Sequence, residues 1–172
     1  MSHSNISLLV GTIVSAMLCS LLYHEVRGGK VSFGQQDTIS MEVQEKILSK
    51  DFAVAKKALD DSREQKQVVA IRMGLKSQFL DIRREAANAI KELQDKPSVP
   101  FLTEALENNQ VRYTGGSETQ LMQAELNKSL LSALQTLTGL NLIEGRTLSD
   151  ALIQIAIQEY KRWWNENRDN VK

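Results

Sequence analysis

The side chains that carry most nucleophilic catalysis and bind most transition metals are confined to the start of this chain. Both histidines, His3 and His24, and the single cysteine, Cys19, lie within the first 24 of 172 residues. Ser-His-Asp and Cys-His catalysis and zinc sites need at least one of these residue types. We therefore predict no such catalytic centre, no such metal site and no internal disulfide after His24.

Carboxylates are the remaining candidates for acid–base chemistry or calcium binding. Asp60, Asp61 and Glu64 form one group, and Glu104 and Glu107 form another. A catalytic carboxylate needs a pKa raised by burial or by a close like charge. Both groups instead fall where solvated helix ends or faces are expected. We predict a protein that is not an enzyme, with no catalytic, metal-binding or cofactor-binding residues.

Two adjacent tryptophans near the end of the chain are candidates for a protein contact. Trp163 and Trp164 lie about 100° apart on a helix, so they cannot face a core equally. We predict that Trp163 faces the core and that Trp164 is more exposed and contacts a partner, a role in which tryptophan is enriched. Arg72 and Glu104 are the other residues predicted to contact a protein partner.

The overall composition favours helix and gives no sign of nucleic-acid binding. The chain has 21 basic and 21 acidic side chains, two prolines and few aromatic residues. Nucleic-acid binding requires a basic excess, so we predict no nucleic-acid partner unless folding gathers a local basic patch. Alanine, leucine, glutamine, glutamate and lysine are abundant, as in helical proteins. The predicted fold class is all-α.

The N-terminal segment has a different character from the rest of the chain. Ile6 to Tyr23 is 18 residues without a charge, which as a helix would span about 27 Å, just enough for a bilayer core of about 30 Å. We predict a single-pass membrane anchor. A cleaved signal peptide is the alternative, although no lysine or arginine precedes the segment. Leu18 argues against a lipoprotein signal ending at Cys19.

Small residues recur within this predicted anchor. Ser7, Gly11, Ser15 and Cys19 lie four residues apart, so a second membrane helix could pack closely along them and a homo-oligomer could form through the anchor. The alternative is that small residues are simply common in such helices. Residues 25–37 contain three glycines and lack periodicity, which predicts a flexible tether. The predicted divisions are 1–24 (anchor or uncleaved signal), 25–37 (tether) and 38–172 (helical domain).

Apolar residues recur at helical spacing through most of 38–172. We predict a first helix near Ile39 to Ile47, a second capped by Asp51, and a third after the break at "DDSRE". The predicted inward stripes of these three helices are Ile39, Val43 and Ile47; Phe52, Ala55, Ala58 and Leu59; and Val68, Ile71 and Leu75.

Two further helix pairs are predicted after Asp81. Asp81 and Ser117 are assigned as N-caps, Pro100 as a first-turn residue, Gly139 as a C-terminal stop, and Ser149 or Asp150 as the start of the last helix. The inward stripes are Ile82, Ala86, Ala89, Ile90 and Leu93; Met122, Leu126, Leu130, Leu134 and Leu137; and Leu152, Ile155, Ala156, Tyr160 and Trp163. The pair starts Asp51, Asp81 and Ser117 indicate a repeat of 30 and 36 residues.

"DIRREAANAIKEL" followed by "PSVPFLTEAL" resembles a HEAT repeat of the short variety found in phycobilisome-lyase-like proteins. The resemblance implies a short right-handed α-solenoid of about three HEAT-like helix pairs, following the N-terminal transmembrane helix. It also places Arg83 where such repeats bind an Asp or a backbone carbonyl in an adjoining turn. Many bacterial proteins carry this variety of repeat, so the resemblance implies a bacterial protein.

The resemblance implies a function in protein interaction. Second helices near Val68 to Lys76, Val99 to Glu107 and Ala151 to Trp163 would form a concave surface that holds a protein partner. A membrane-tethered scaffold or adaptor is therefore predicted. The alternatives are a chromophore-handling accessory protein that resembles bilin lyases, and a structural subunit of an exported or membrane assembly.

Sequence features disagree about the side of the membrane on which the domain lies. Arg27 and Lys30 follow the anchor and favour a cytoplasmic domain. "LQTLTGLNL" with "YKRWWNENR" is similar to the C-terminal part of exported bacterial HEAT-repeat proteins. We predict a bacterial single-pass membrane protein with an extracytoplasmic domain, and a cytoplasmic domain is the alternative.

Overall fold

The computed structural model describes residues 40–109, 117–143 and 145–171. Within these ranges the regular structure is entirely helical, which confirms the all-α prediction. The α-helices are α1 (Met41–Ile47), α2 (Phe52–Glu64), α3 (Val68–Gly74), α4 (Leu80–Glu92), α5 (Val99–Asn108), α6 (Glu118–Thr138) and α7 (Asp150–Asn167). Short 3-10 helices cover Lys96–Ser98 and Arg168–Asn170.

Capping residues set several of the helix ends. The Asp51 carboxylate accepts hydrogen bonds from the first backbone amides of α2, and Ser117 forms a capping box with Gln120 at the start of α6. Ser149 caps α7. Gly139 ends α6 in the left-handed region with φ 76°, where glycine carries little steric cost. These four predicted ends are confirmed.

Two predicted helix boundaries are wrong. Phe79, not Asp81, is the N-cap of α4, because the Ser77 hydroxyl accepts from the Phe79 amide and closes a turn ahead of the helix. Asp81 lies in the first turn and pairs with Arg84 at 2.8 Å. The predicted break at "DDSRE" lies inside α2, which continues to Glu64; the chain turns at Gln65–Gln67, where Lys66 has φ 54°.

The helices follow one another as the first and second helices of three repeats, α2–α3, α4–α5 and α6–α7. Contacts between neighbouring repeats outweigh the contacts within α4–α5 and within α6–α7. First helices α4 and α6 pack extensively against each other, and second helices α5 and α7 are also neighbours. One main hydrophobic core runs from α2 to α7, while α1 packs on α2 and α3 over a smaller cluster of Ile47, Ala58 and Ala70. This arrangement is consistent with a short α-solenoid.

Two contacts fix the spacing of neighbouring pairs. Gly74 lies so close to α4 that a Cβ at this position would stand 2.9 Å from the Cβ of Ala86. At the other end of the repeat, the Asn109 amide donates to the Asn127 side chain at 2.7 Å and to the Gln123 carbonyl at 2.9 Å. Small residues and one buried amide pair therefore hold α3 and α5 against the following first helices.

The predicted stripe on α7 needs one correction. Ile155 is 57% exposed, whereas the buried residues of this helix are Leu152, Ile153, Ala156, Ile157 and Tyr160. Ala156 and Ile157 are adjacent and both buried, so the buried face covers more than about 100° of the helix, and Ile155 lies on the side away from the centre of that face. Ile155 therefore faces outward, a choice that helical spacing alone left open.

Candidate functional site

The second helices α3, α5 and α7 provide the walls of two neighbouring depressions, and we call this surface the second-helix face. Helices α5 and α7 contact each other directly. Helix α3 is tied to the segment before α5 by Arg72. Each predicted partner-contacting residue, Arg72, Glu104 and Trp164, lines at least one of the depressions. The structure therefore brings the three residues to one surface.

The first depression lies between α5 and α7 and has a volume of about 270 Å³. We call it the α5–α7 depression; its lining residues are Pro100, Thr103, Glu104, Glu107, Tyr160, Lys161, Trp164 and Asn165. Lys161 and Glu107 form an ion pair at 2.8 Å between the two helices. Both side chains are substantially exposed, so this pair contributes little to stability and mainly fixes the charge pattern of the rim.

Tyr160 lies on the floor side of this depression and is fully buried. Its hydroxyl oxygen has no hydrogen-bond partner among the described residues, and burial raises the pKa of Tyr160 to about 12. A buried hydroxyl without a partner costs stability. The wall of the α5–α7 depression therefore contains a polar group whose hydrogen-bonding capacity is unused within the described part of the chain.

The two tryptophans do not divide into a buried and an exposed residue. Both are half-buried and both pack against the main core. Only Trp164 lines the α5–α7 depression. Both tryptophans fall in the same range of burial, so the prediction that Trp163 is the more buried of the two stays a prediction, as does the prediction that Trp164 contacts a partner.

The second depression lies between α3 and α5 and has a volume of about 250 Å³. We call it the α3–α5 depression; its lining residues are Arg72, Leu75, Lys76, Arg83, Phe101, Glu104, Ala105 and Asn108. Glu104 lines both depressions. Within the described ranges no ion pair or hydrogen bond involves the Glu104 carboxylate, so it stands as an acidic group between them.

Arg72 is mainly engaged inside the protein. Its guanidinium donates to Asp95 at 2.7 Å and to the Ser98 hydroxyl at 2.7 Å, and lies 5.1 Å above the Phe101 ring. The side chains of Arg72 and Asp95 are only 18% and 14% exposed. The donors of Arg72 therefore join α3 to the start of α5, and its predicted contact with a partner stays a prediction.

Arg83 confirms the role that the HEAT resemblance implied. Its Nε donates to the carbonyl of Leu75, in the turn after α3, at 3.1 Å. Burial lowers the pKa of Arg83, because no carboxylate of the described residues lies close enough to compensate for the loss of water around the charge. Lys76 and Lys161 fall within the predicted second helices, whereas Arg83 of α4 reaches this surface only through the packing of neighbouring repeats.

Two of the three carboxylates considered for chemistry on α2, Asp60 and Asp61, are occupied by surface ion pairs. Lys56 pairs with Asp60 at 2.7 Å, and Lys57 pairs with Asp61 at 3.0 Å, each four residues apart on α2. In the described ranges no group of three or more His, Cys, Asp or Glu side chains could hold a metal ion. The contacts of Asp60 and Asp61 are those of a solvated helix face.

The predicted anchor lies outside the described residues. Ser7, Gly11, Ser15 and Cys19 all belong to the segment Ile6 to Tyr23, and the tether at 25–37 also precedes residue 40. Among the helices of the described ranges, none is long and apolar enough to cross a membrane. The structure therefore does not test the anchor or its packing.

Comparison with known families identifies one match within the described helices. The PBS lyase HEAT-like repeat matches residues 82–108, which cover nearly all of α4, the connecting turn and α5. No curated protein and no solved structure gives a significant match to the chain. The match supports a HEAT-repeat protein and coincides with the stretch whose residues resemble such a repeat.

Proposed function

We propose that this protein is a non-enzymatic adaptor that binds a protein partner through the second-helix face. The observation that carries the proposal is the pair of adjoining depressions, which meet at Glu104 and use all three second helices. Stacked helical repeats commonly bind partners on such extended surfaces. The role of this chain is to position a partner, and it requires no chemical turnover.

The α5–α7 depression supplies the apolar part of the proposed contact. Trp164 and Pro100 line it, and each 100 Å² of apolar surface that a partner covers there is worth about 2.5 kcal/mol before the costs of association. The charged rim of Glu107 and Lys161 contributes orientation more than affinity. A partner side chain that inserts beside Trp164 would therefore be the anchor of the complex.

The proposed adaptor is membrane-tethered. The support is the uncharged segment Ile6 to Tyr23, with the tether at 25–37 behind it. We place the domain on the extracytoplasmic side of a bacterial membrane, because its C-terminal stretch is similar to that of exported bacterial HEAT-repeat proteins. Protease treatment of intact cells tests this: the domain should be digested without permeabilisation, whereas protection until the cells are opened would place it in the cytoplasm.

Replacement of Trp164 tests the partner site directly. The full chain is purified in detergent after crosslinking, as wild type, Trp164→Ala and Trp163→Ala. Trp163 is the matched control, because it is the same residue type, half-buried on the same core, but does not line the depression. We expect wild type and Trp163→Ala to recover the partner in similar amounts. With Trp164→Ala the amount recovered should fall by tenfold or more, equivalent to about 1.4 kcal/mol or more of binding free energy.

A second control separates loss of contact from general loss of surface hydrophobicity. Ile155 lies on the same helix, is more exposed than either tryptophan and is outside the depression. Ile155→Ala should leave recovery unchanged. Equal recovery with all variants, or loss with Trp163→Ala or Ile155→Ala but not with Trp164→Ala, would contradict the proposed surface.

The matched family's description favours chromophore handling as a second candidate. The PBS lyase HEAT-like repeat is matched over a single repeat, so we propose a lyase-like accessory role only as the alternative. Purified protein with visible absorbance would favour it over an adaptor. A fixed stoichiometric complex that forms without regard to Trp164 would instead favour a structural subunit.

A further inference from the structure

The α3–α5 depression carries uncompensated positive charge. Three basic side chains line it, Arg72, Lys76 and Arg83. Arg72 is neutralised by Asp95, but within the described residues neither Lys76 nor Arg83 has a carboxylate at ion-pair distance. Glu104, the one acidic residue of the lining, is bound to neither. Two cationic groups are therefore available to bind an anion.

Arg83 is already oriented for such a contact. Its Nε donates to Leu75 at 3.1 Å, which fixes the side chain, while its two terminal nitrogens have no partner among the described residues. Burial lowers the pKa of Arg83, as expected for a cation that lacks a nearby anion. The planar guanidinium matches a carboxylate, which it can bind with two parallel hydrogen bonds.

We propose that the α3–α5 depression binds the side-chain carboxylate of an Asp or Glu in an extended segment of the partner protein. This inference rests on the proposed function and adds the chemistry of the partner. The neighbouring α5–α7 depression takes an apolar side chain of the same segment beside Trp164. An acidic residue and an apolar residue a few positions apart are therefore the two recognised features.

Charge and size favour one carboxylate over a polyanion. Glu104 lies between the two depressions and would repel a phosphodiester chain that followed the second-helix face. The chain as a whole is electrically balanced, unlike a nucleic-acid-binding domain. A volume of about 250 Å³ is below the usual range for small-molecule sites and suits a single side chain.

A synthetic peptide array tests the proposal with ligands of defined chemistry. Nine-residue peptides carry Glu, Gln, Lys or phosphoserine at one position and Leu, Phe or Ala two to four positions away. Fluorescently labelled full-length protein in detergent is applied as wild type, Lys76→Glu, Lys50→Glu and Trp164→Ala. Lys50 is the matched control, because it is an exposed lysine outside both depressions.

We expect Glu peptides with Leu or Phe to bind about tenfold more tightly than their Gln counterparts, as for loss of one charge-assisted hydrogen bond. Lys76→Glu should remove this preference, and Lys50→Glu should keep it. Arg83→Lys, which retains the charge but not the bidentate geometry, should reduce the preference while the protein stays folded.

The outcomes separate this inference from the proposed function. In one outcome Trp164→Ala weakens peptide binding, but Glu peptides bind no better than Gln peptides, or the preference for Glu survives Lys76→Glu. That outcome would overturn only the carboxylate assignment. A stronger preference for phosphoserine would overturn it in favour of a phosphate. Absence of any peptide binding, or binding indifferent to Trp164→Ala, would overturn both.

Discussion

The hydroxyl group of Tyr160 is the clearest local defect in the core. The side chain is fully buried and its oxygen has no hydrogen-bond partner among the described residues. Tyr160→Phe removes this oxygen and keeps the ring, so we expect the free energy of unfolding to stay the same or to rise by about 1 kcal/mol. Tyr160→Ala should instead cost about 3 to 5 kcal/mol through the cavity it leaves. Urea denaturation of both variants measures the difference.

The same residue predicts a dependence of stability on alkaline pH. Burial raises the pKa of Tyr160 to about 12, above the unfolded value of about 10. Between these values the unfolded state loses the phenolic proton while the folded state keeps it, so the free energy of unfolding falls as pH rises from about 10 to 12. The fall should reach about 2 to 3 kcal/mol and be absent in Tyr160→Phe. Parallel slopes for the two proteins would contradict it.

At the scale of helices, the approach of α3 to α4 depends on Gly74. A Cβ at this position would lie 2.9 Å from the Ala86 Cβ and 3.2 Å from a Leu59 methyl group. Gly74→Ala should therefore lower the free energy of unfolding by about 1 to 3 kcal/mol, although alanine has the better helix propensity. Ala86→Leu should destabilise the protein for the same reason of overpacking.

A double mutant distinguishes steric conflict from other causes. Gly74→Ala combined with Ala86→Gly removes the closest methyl group, so part of the lost stability should return despite the helix cost of glycine, about 1 kcal/mol. The coupling energy should be at least about 0.5 kcal/mol. Strictly additive effects in thermal or urea denaturation would show that α3 and α4 adjust freely at this contact.

The ion pair of Arg72 with Asp95, which joins α3 to the segment before α5, can be compared with an exposed ion pair. Arg72→Met leaves Asp95 almost buried with only the Ser98 hydroxyl as a partner, and we expect a cost of about 2 to 4 kcal/mol. Arg63 pairs with Glu92 at 2.6 Å with both side chains exposed, so Arg63→Met should cost at most about 1 kcal/mol. Chemical denaturation that gives similar losses for both would refute the role of burial.

Asp95→Asn tests why Arg72→Met should cost more stability than Arg63→Met. In the background of Arg72→Met it removes the uncompensated charge, so the double variant should be more stable than Arg72→Met alone. If the double variant is the less stable of the two, the loss arises from the missing contact of the Arg72 guanidinium with the Phe101 ring rather than from the carboxylate.

At the scale of the whole molecule, residues Gln36–Lys172 form one compact unit, and one core connects α2 to α7. We expect a fragment of residues 38–172 to be soluble and to give a helical circular dichroism spectrum. Because both tryptophans lie at the end of α7, their fluorescence should change at the same temperature as the dichroism. A spectrum dominated by strand, or two separate transitions, would contradict a single helical unit.

The sequence by itself determined the local structure of this protein and one repeat. Capping residues such as Asp51, Ser117 and Ser149, and the stop at Gly139, act on backbone groups two to four residues away, so their effect is visible in a short stretch. The family match over 82–108 coincides with the stretch that resembles a HEAT repeat. The start of α4 was misplaced because two competing turn formers, Ser77 and Asp81, lie within one turn of each other.

Only the tertiary structure decided which residues of different repeats meet. Arg72 contacts Asp95 and Ser98, more than twenty positions away, and Glu104 joins depressions lined by residues of four separate helices. Helical periodicity fixes the angular position of a side chain on its own helix, but the neighbouring helix determines whether Ile155 is buried. These contacts depend on how whole repeats pack against one another. The spacing of apolar residues within one helix contains no information about that packing.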